Sequence, residues 1–169
     1  MIKSIILTLC VILITFCFSW FIFAVKPLEN LDKNNINAEI LWKIINTEDN
    51  YRKYSFWPDH KGMQPGRAPH GPYHKIYIND IIRNVIPISN KTIPEGGIIV
   101  KESFDIDKEF VSISVMAKVK DCNPSNNDWF WAQYSTDGKA QTSGKIMNCI
   151  NCHKAFKKND FVMFHRLDK

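Results

Sequence analysis

The pentapeptide Cys149-Ile150-Asn151-Cys152-His153 constrains this 169-residue chain more than any other feature. C-x-x-C-H is the attachment signature of a c-type haem. Its two intervening residues separate the thiols enough to reach two vinyl groups of one porphyrin, and the adjacent His can bind the iron. The pentad therefore predicts one covalently attached haem c, with Cys149 and Cys152 as thioether anchors and His153 as the ligand of the haem iron.

Two other interpretations of the pentad stay open. A redox or disulfide C-x-x-C usually follows a strand of a βαβ unit, whereas residues 136–148 are polar and loop-like. A zinc site needs a second pair of ligands. The chain has no other C-x-x-C, and Cys122 with a distant His would be an irregular pair.

The N-terminal sequence predicts a membrane anchor. No charged residue occurs from Ser4 to Val25, and at about 1.5 Å per residue this run spans roughly 33 Å, enough for a bilayer core. Because no A-x-A-like site precedes Lys26, we expect an uncleaved signal anchor at residues 1–25, with a cleaved leader as the alternative. A linker (26–36) and a domain (37–169) follow. Since bacteria attach haem c outside the cytoplasmic membrane, the domain is expected in the periplasm, anchored to the inner membrane.

The charge of the chain gives no reason to expect a nucleic-acid partner. The formal net charge is +5, from 22 Lys+Arg against 17 Asp+Glu. This excess is mild, and no cluster of Lys and Arg resembles a nucleic-acid groove.

Alternating residues predict strands in the domain. From Val111 to Val119, apolar residues alternate with polar ones and Met116 over nine positions, which is the period of a strand. A helix is predicted to begin at Asn37 or Ala38, and Asn79 is a good N-cap for a second helix through Val85. Further strands are predicted at Tyr73–Ile78, Ile98–Phe104, Trp129–Tyr134 and Phe161–Phe164. The short connections favour hairpins, so the predicted class is α+β: a mostly antiparallel β-sheet with a few flanking helices, preceded by one N-terminal transmembrane helix.

A Pro- and Gly-rich loop from Lys61 to Pro72 carries His70. This His is either an ordinary surface residue or a group that lines the open side of the haem. A closed haem would need a sixth iron ligand, for which the candidates are Met63, Met116, Met147, Met163 and His70.

Several short motifs occur in the order of one known family. They are Gly66-Arg67-Ala68-Pro69-His70-Gly71, Tyr77-Ile78-Asn79, Gly97-Ile98-Ile99-Val100-Lys101-Glu102, Asp128-Trp129-Phe130-Trp131, the C-x-x-C-H and Asp160-Phe161-Val162. With these motifs the chain resembles the cytochrome P460 family from about Leu41 to Arg166. The resemblance implies a β-rich domain, often a homodimer, with a five-coordinate haem. Some members oxidise hydroxylamine, and the related cytochromes c′-β bind nitric oxide and similar gases.

The resemblance also assigns residues. It makes Cys149 and Cys152 the thioether anchors and His153 the proximal ligand. It places Lys101 where family members have a lysine that is bonded covalently to the porphyrin edge. The alternative for Lys101 is a strand lysine paired with an acid or a haem propionate.

One departure from the family bears on function. Hydroxylamine-oxidising members need a carboxylate shortly before C-x-x-C-H, but residues 138–148 contain no Asp or Glu. Asp137 and Glu102 are the candidate substitutes. We therefore assign no catalytic residue, expect weak or absent hydroxylamine turnover, and expect binding or oxidation of small nitrogen oxides at an open haem face. The alternatives are a six-coordinate electron-transfer cytochrome with an unidentified redox partner and a haem-free domain with a Cys149–Cys152 disulfide.

Overall fold

A computed structural model describes residues 31–88 and 90–163. The predicted signal anchor at residues 1–25 lies outside the described residues, so the transmembrane helix stays a prediction. Within the part of the chain that is described, no helix is long and apolar enough to cross a membrane.

In the described part of the chain, seven antiparallel strands form one sheet, which confirms the predicted mostly antiparallel α+β fold. The strands are β1 (Ser55–Phe56), β2 (Gln64–Pro65), β3 (Tyr73–Ile78), β4 (Ile98–Phe104), β5 (Phe110–Lys118), β6 (Trp129–Ser135) and β7 (Ala140–Gly144). Their spatial order is β1-β3-β4-β5-β6-β7, and β2 also pairs with β3. Every pair is antiparallel, as short connections between successive strands favour.

Within residues 31–88 and 90–163, three short α-helices flank the sheet: α1 (Ala38–Lys43), α2 (Asp80–Val85) and α3 (Met147–His153). The predicted N-cap of α2 is confirmed, because Asn79 Oδ1 accepts from Ile82 N at 3.2 Å. Helix α1 begins at Ala38, as predicted, and Asn37 Oδ1 caps it by accepting from Ile40 N at 2.8 Å. Asn79 Oδ1 also accepts from Ile98 N at 3.1 Å, so the same side chain starts α2 and fixes the beginning of β4.

The alternation in β5 gives the sheet two different faces. In the register of the sheet, Lys101 of β4 lies beside Ser114 of β5. Ile76 of β3 and Gln133 of β6 extend this row on either side. Because successive side chains point to opposite faces, one face carries this row and its neighbours. We call it the site face, and it includes His74, Ile76, Ile78, Ile99, Lys101, Ser103, Ser114, Met116, Lys118, Trp129, Trp131 and Gln133.

The opposite face, which we call the apolar face, is covered by α1. Leu41 and Ile45 are fully buried there against Val100 and Val115 in one apolar cluster. Burying each such side chain stabilises the fold by about 1.5–3 kcal/mol. The hydroxyl of Tyr134 on β6 also donates to the carbonyl of Ala38 at 2.8 Å, which ties the start of α1 to the sheet.

A second apolar cluster lies on the site face. Trp129 and Ile78 of the sheet pack there with Ile82 of α2, Ile150 of α3 and Phe161. Ile150 is the residue between the two Cys of the pentad and is 2% exposed. Its burial anchors α3 to the sheet.

Two sequence predictions about the C-terminal region were wrong. Residues 136–148 are not all loop, because β7 pairs with β6 from Ala140 to Gly144. Phe161–Phe164 is not a strand in its described part, residues 161–163. Asp160 and Phe161 both adopt positive φ, 54° and 65°, which turns the chain instead of extending it.

Candidate functional site

Helix α3 presents the two thiols of the pentad on one side. Cys149 and Cys152 are three residues apart, a spacing that places side chains on the same helix surface. Cys149 is half-buried, Cys152 is exposed, and neither forms a disulfide. Burial raises the pKa of the Cys149 thiol. The Cys149 thiol is therefore protonated, and it lies at the edge of the site-face cluster.

His153 ends α3 and points one nitrogen at the backbone. Its Nδ1 lies 2.8 Å from the carbonyl oxygen of Phe161, an acceptor that fixes Nδ1 as the protonated nitrogen. Burial lowers the pKa of His153, and the charge of Lys101 lowers it further, although the contact with Phe161 opposes the shift. The ring is therefore neutral and keeps Nε2 for a metal.

A buried ion pair holds the segment that supplies this carbonyl. Lys118 Nζ contacts Asp160 Oδ2 at 2.6 Å, with side-chain exposures of 5% and 1%. The same carboxylate accepts from Ile93 N at 2.7 Å and from Asn127 Nδ2 at 2.7 Å, and the Asp160 carbonyl accepts from Trp129 Nε1 at 2.7 Å. These bonds determine where the next residue, Phe161, presents its oxygen to His153.

Trp131 of β6 borders His153 from the sheet. The two ring centroids are 4.8 Å apart with an interplanar angle of 73°, an edge-to-face contact. Three buried polar atoms of this region have no hydrogen-bond partner among the described residues: Trp131 Nε1, Trp57 Nε1 and Ser103 Oγ. Buried polar groups are nearly always bonded, so these three groups are available to bond a polar group of a ligand.

Lys101 lies on the same face as Trp131. Burial lowers its pKa to about 8, with the charge of Arg67 contributing. The charge of Lys101 in turn lowers the pKa of both His70 and His153, so these three side chains converge on one region.

The loop before β3 brings His70 to the same region. Its ring centroid lies 6.4 Å from that of His153, with the ring planes at 89°. Burial lowers the pKa of His70 to about 3, and the charges of Lys101, His153 and His74 add to the effect. His70 is therefore a neutral imidazole that faces the site, not an ordinary surface residue.

The two candidate carboxylates lie elsewhere, which corrects the prediction that either could act over the haem. Glu102 is on the apolar face, where it accepts hydrogen bonds from the hydroxyls of Tyr51 at 2.8 Å and Tyr77 at 3.1 Å. Asp137 is exposed in the β6–β7 turn and is bonded to Ser135. Glu102 is the one carboxylate within the seven described strands.

The methionines suggested as a sixth ligand differ in position. Met116 is 8% exposed and belongs to the site-face cluster, whereas Met147 is 59% exposed on α3. Met63 and Met163 are half-buried. Of the predicted candidates for a sixth ligand, His70 is the one whose ring lies near that of His153 in the described structure.

Comparison with known families decides the class of the protein. The family model of Cytochrome P460 matches residues 48–164, which is most of the chain. The chain belongs to the cytochrome P460 family. No curated protein is similar enough to add an individual relative to this assignment.

Membership in the cytochrome P460 family indicates a c-type haem protein and hence an iron-containing cofactor. The side chains fit that group. His153 offers Nε2 to an iron, two free cysteine thiols precede it on α3, and the unpartnered Trp131 Nε1 is a donor of the kind a propionate accepts. No cluster of three or more His, Cys, Asp or Glu that could hold a metal ion by itself occurs among the described residues.

Sequence reasoning identified the pentad and Lys101 but missed two features of the site. The carbonyl of Phe161 could not be foreseen, because residues 161–164 were read as a strand. The sequence did contain a signal for the buried indole of Trp131. Trp131 lies two residues from Trp129 on a strand whose alternate residues share a face.

Proposed function

We propose that this chain is a membrane-anchored, periplasmic c-type haem protein that binds small nitrogen oxides, above all nitric oxide, at its haem iron. Membership in the cytochrome P460 family supports the haem. The fit of the site-face residues supports a haem position beside that face. One observation favours gas binding over hydroxylamine oxidation. Glu102, the sole carboxylate within the described strands, lies on the apolar face and not on the site face.

In this proposal Cys149 and Cys152 attach the group covalently. Each Sγ forms a carbon–sulfur bond to one vinyl group, and the thiol hydrogen goes to the other vinyl carbon, so the addition involves no net oxidation. Their positions three residues apart on α3 present both sulfurs to one edge of the macrocycle. The bound group supplies an iron that can change oxidation state and coordinate an N–O ligand.

His153 would be the proximal ligand through Nε2. The carbonyl of Phe161 fixes the tautomer and the direction of the ring, and such a partner makes a ligating imidazole more basic. The Lys118–Asp160 pair acts through that carbonyl and so is a positioning device.

Oxidation of hydroxylamine needs a group that takes protons from the substrate. Of the groups that converge on His153, the amine of Lys101 is largely protonated at neutral pH with its pKa of about 8, and the imidazole of His70 is a weak base with its pKa of about 3. A neutral gas such as nitric oxide needs no such base. We therefore propose capture of nitric oxide with slow or absent hydroxylamine turnover.

Lys101 would contact the edge of the porphyrin. Its lowered pKa makes an uncharged amine accessible near neutral pH. A cross-link would replace a porphyrin C–H by a C–N bond and would transfer two electrons to an oxidant such as hydrogen peroxide. The alternative is an ion pair between a protonated Lys101 and a propionate. Loss of two hydrogens from the intact mass and a strongly red-shifted main absorption band distinguish the cross-link.

The test uses the full chain, produced in cells that attach haem c. We expect the reduced protein to bind nitric oxide and to turn over hydroxylamine weakly or not at all with an electron acceptor present. Robust hydroxylamine turnover would contradict the proposal, and so would reduced haem protein that takes up no nitric oxide.

A second candidate function is electron transfer to an unidentified redox partner. The observation in its favour is the imidazole of His70 near His153, since a strong sixth ligand closes an iron to gases. Unchanged reduction and reoxidation with no uptake of nitric oxide would favour it. A homodimer is proposed on the resemblance alone, and sedimentation of the purified protein tests it.

A further inference from the structure

Positive charge is concentrated around α3, the helix that carries the two thiols. From Gly138 to Asn159 the sequence contains five Lys but no Arg, Asp or Glu. One of these lysines lies just before α3 and three follow it, and the side chains of all four are exposed. We call these four residues the basic surface: Lys145, Lys154, Lys157 and Lys158.

The lysines of the basic surface form no ion pair within residues 31–88 and 90–163, where the ion pairs involve other side chains. The next carboxylate along the chain, that of Asp160, is 1% exposed and already binds Lys118 at 2.6 Å. The preceding one, Asp137, is bonded to Ser135. The charge of the basic surface is therefore not neutralised by neighbouring residues of the described chain.

An exposed apolar side chain lies among these lysines. Met147, in the first turn of α3, is 59% exposed. In protein–protein interfaces Met is enriched in the buried centre, and charged residues form the rim. Because the seven residues of α3 span only about 10 Å, Met147 and the cations at both ends of the helix belong to one patch that a single partner can cover.

We propose that the basic surface is the docking site for an acidic protein that donates one electron to the haem. This inference rests on the haem proposed above and adds its partner. Since nitric oxide is expected to bind the reduced protein, an iron that becomes oxidised has to be reduced again. In that step one electron leaves the partner and converts ferric iron to ferrous iron, while no bond forms or breaks and no proton moves.

The position of the basic surface suits this role. Cys149 and Cys152 are the proposed attachment points of the porphyrin, and in the chain both lie between Lys145 and Lys154. A partner on the basic surface thus contacts the helix that is bonded to the haem. Complementary charges raise the rate of encounter by about 10- to 1000-fold at low salt. At an ionic strength of about 0.1 M screening limits their reach to roughly 10 Å, so lysines near the contact dominate.

The first experiment maps the surface with a hexaglutamate peptide as the acidic probe. Its activated carboxyl groups are coupled to the full-length protein in detergent, and digestion with mass spectrometry identifies the lysines that form amide bonds. We expect coupling to concentrate on the basic surface and to lose this preference in about 1 M salt. Coupling spread evenly over the exposed lysines of the protein would overturn the proposal.

The second experiment measures electron exchange with small ions. At an ionic strength of about 0.1 M, hexacyanoferrate(III), an anion, should oxidise the reduced triple variant Lys154→Gln, Lys157→Gln and Lys158→Gln about threefold more slowly than the wild type, or slower still. The control variant loses the same charge at three exposed lysines outside the basic surface: Lys33→Gln, Lys53→Gln and Lys139→Gln. It should react nearly as fast as the wild type, and the cationic oxidant tris(phenanthroline)cobalt(III) should be slowed by neither variant. Equal slowing of both variants by hexacyanoferrate(III) would overturn the proposal, because net charge alone would explain it.

An anionic membrane surface is the alternative occupant of the basic surface. The coupling experiment is therefore repeated in vesicles of phosphatidylcholine with and without phosphatidylglycerol. Coupling at the basic surface, relative to that at Lys53, should be the same in both. Selective protection in the anionic vesicles would overturn the protein partner. A protein that lacks haem would overturn the proposed function itself, whereas a haem-loaded protein with even coupling would overturn only the docking site.

Discussion

Lys101 and Glu102 are neighbours in the chain and lie on opposite faces of the sheet. Lys101 shares the site face with Trp131, while Glu102 is buried on the apolar face between the hydroxyls of Tyr51 and Tyr77. This follows from the two-residue period of a strand. The motif that contains both residues thus supplies one group to the proposed haem and one to the core behind it.

The first prediction concerns Glu102. Glu102→Ala leaves two buried tyrosine hydroxyls without their acceptor, so it should lower the free energy of unfolding by about 2–4 kcal/mol. Glu102→Gln keeps an acceptor and should cost less. Both variants should retain the wild-type absorption spectrum, because the side chain does not reach the site face. Denaturant unfolding followed by circular dichroism measures the effect, and an altered haem spectrum in Glu102→Gln would contradict the placement.

Asp160 supports the second prediction. Asp160→Asn leaves Lys118 as an unpaired buried cation, which should cost about 3–5 kcal/mol of unfolding free energy. The variant should also weaken the orientation of His153, because the next carbonyl, Phe161 O, shifts. Asp107→Asn, at an exposed turn, is the matched control. Adding Lys118→Met to Asp160→Asn should recover part of the lost stability, and a double variant less stable than the single one would argue against the ion pair.

The state of Lys101 gives a pH dependence. Its pKa of about 8 lies below the usual 10.5, so between these values the unfolded chain binds a proton that the folded chain has released. Stability should therefore rise with pH across this window in the wild type relative to Lys101→Met, and the difference should be constant below it. Unfolding free energies at pH 7 to 10.5 measure this. A flat difference indicates a cross-linked lysine, and a falling one indicates a propionate partner that raises the pKa.

Gly71 provides the fourth prediction. Gly71→Ala combines a positive φ with a Cβ 2.6 Å from Phe104 O, whereas Gly62→Ala has a similar φ of +73° and open space. The unfavourable φ costs both variants about 1–2 kcal/mol, and the clash adds to that cost in Gly71→Ala alone. Equal stabilities for the two variants in denaturant unfolding would contradict the packing of the loop.

Local patterns predicted much of this fold. The alternation of β5 and the cap at Asn79 are properties of a few adjacent residues, and both are confirmed. Strand β7 was missed because it is an edge strand whose residues are mostly polar and exposed, so it has no apolar alternation to detect. The strand predicted from Phe161 was wrong. The chain turns at this point, next to the ion pair that Asp160 forms with Lys118, 42 residues earlier in the chain.

Part of the candidate site was predictable because its motifs also consist of a few adjacent residues. C-x-x-C-H and the segment around Lys101 are contiguous motifs, so the sequence identifies them directly. The approach of His70 to His153 joins residues far apart in the chain, and only the three-dimensional fold reveals it.

The mass of the denatured full-length protein, made in cells competent for haem c attachment, tests the central claim most directly. The polypeptide should carry the mass of one haem that survives unfolding, and Cys149→Ser with Cys152→Ser should lose it. A wild-type mass equal to the bare polypeptide would contradict the account.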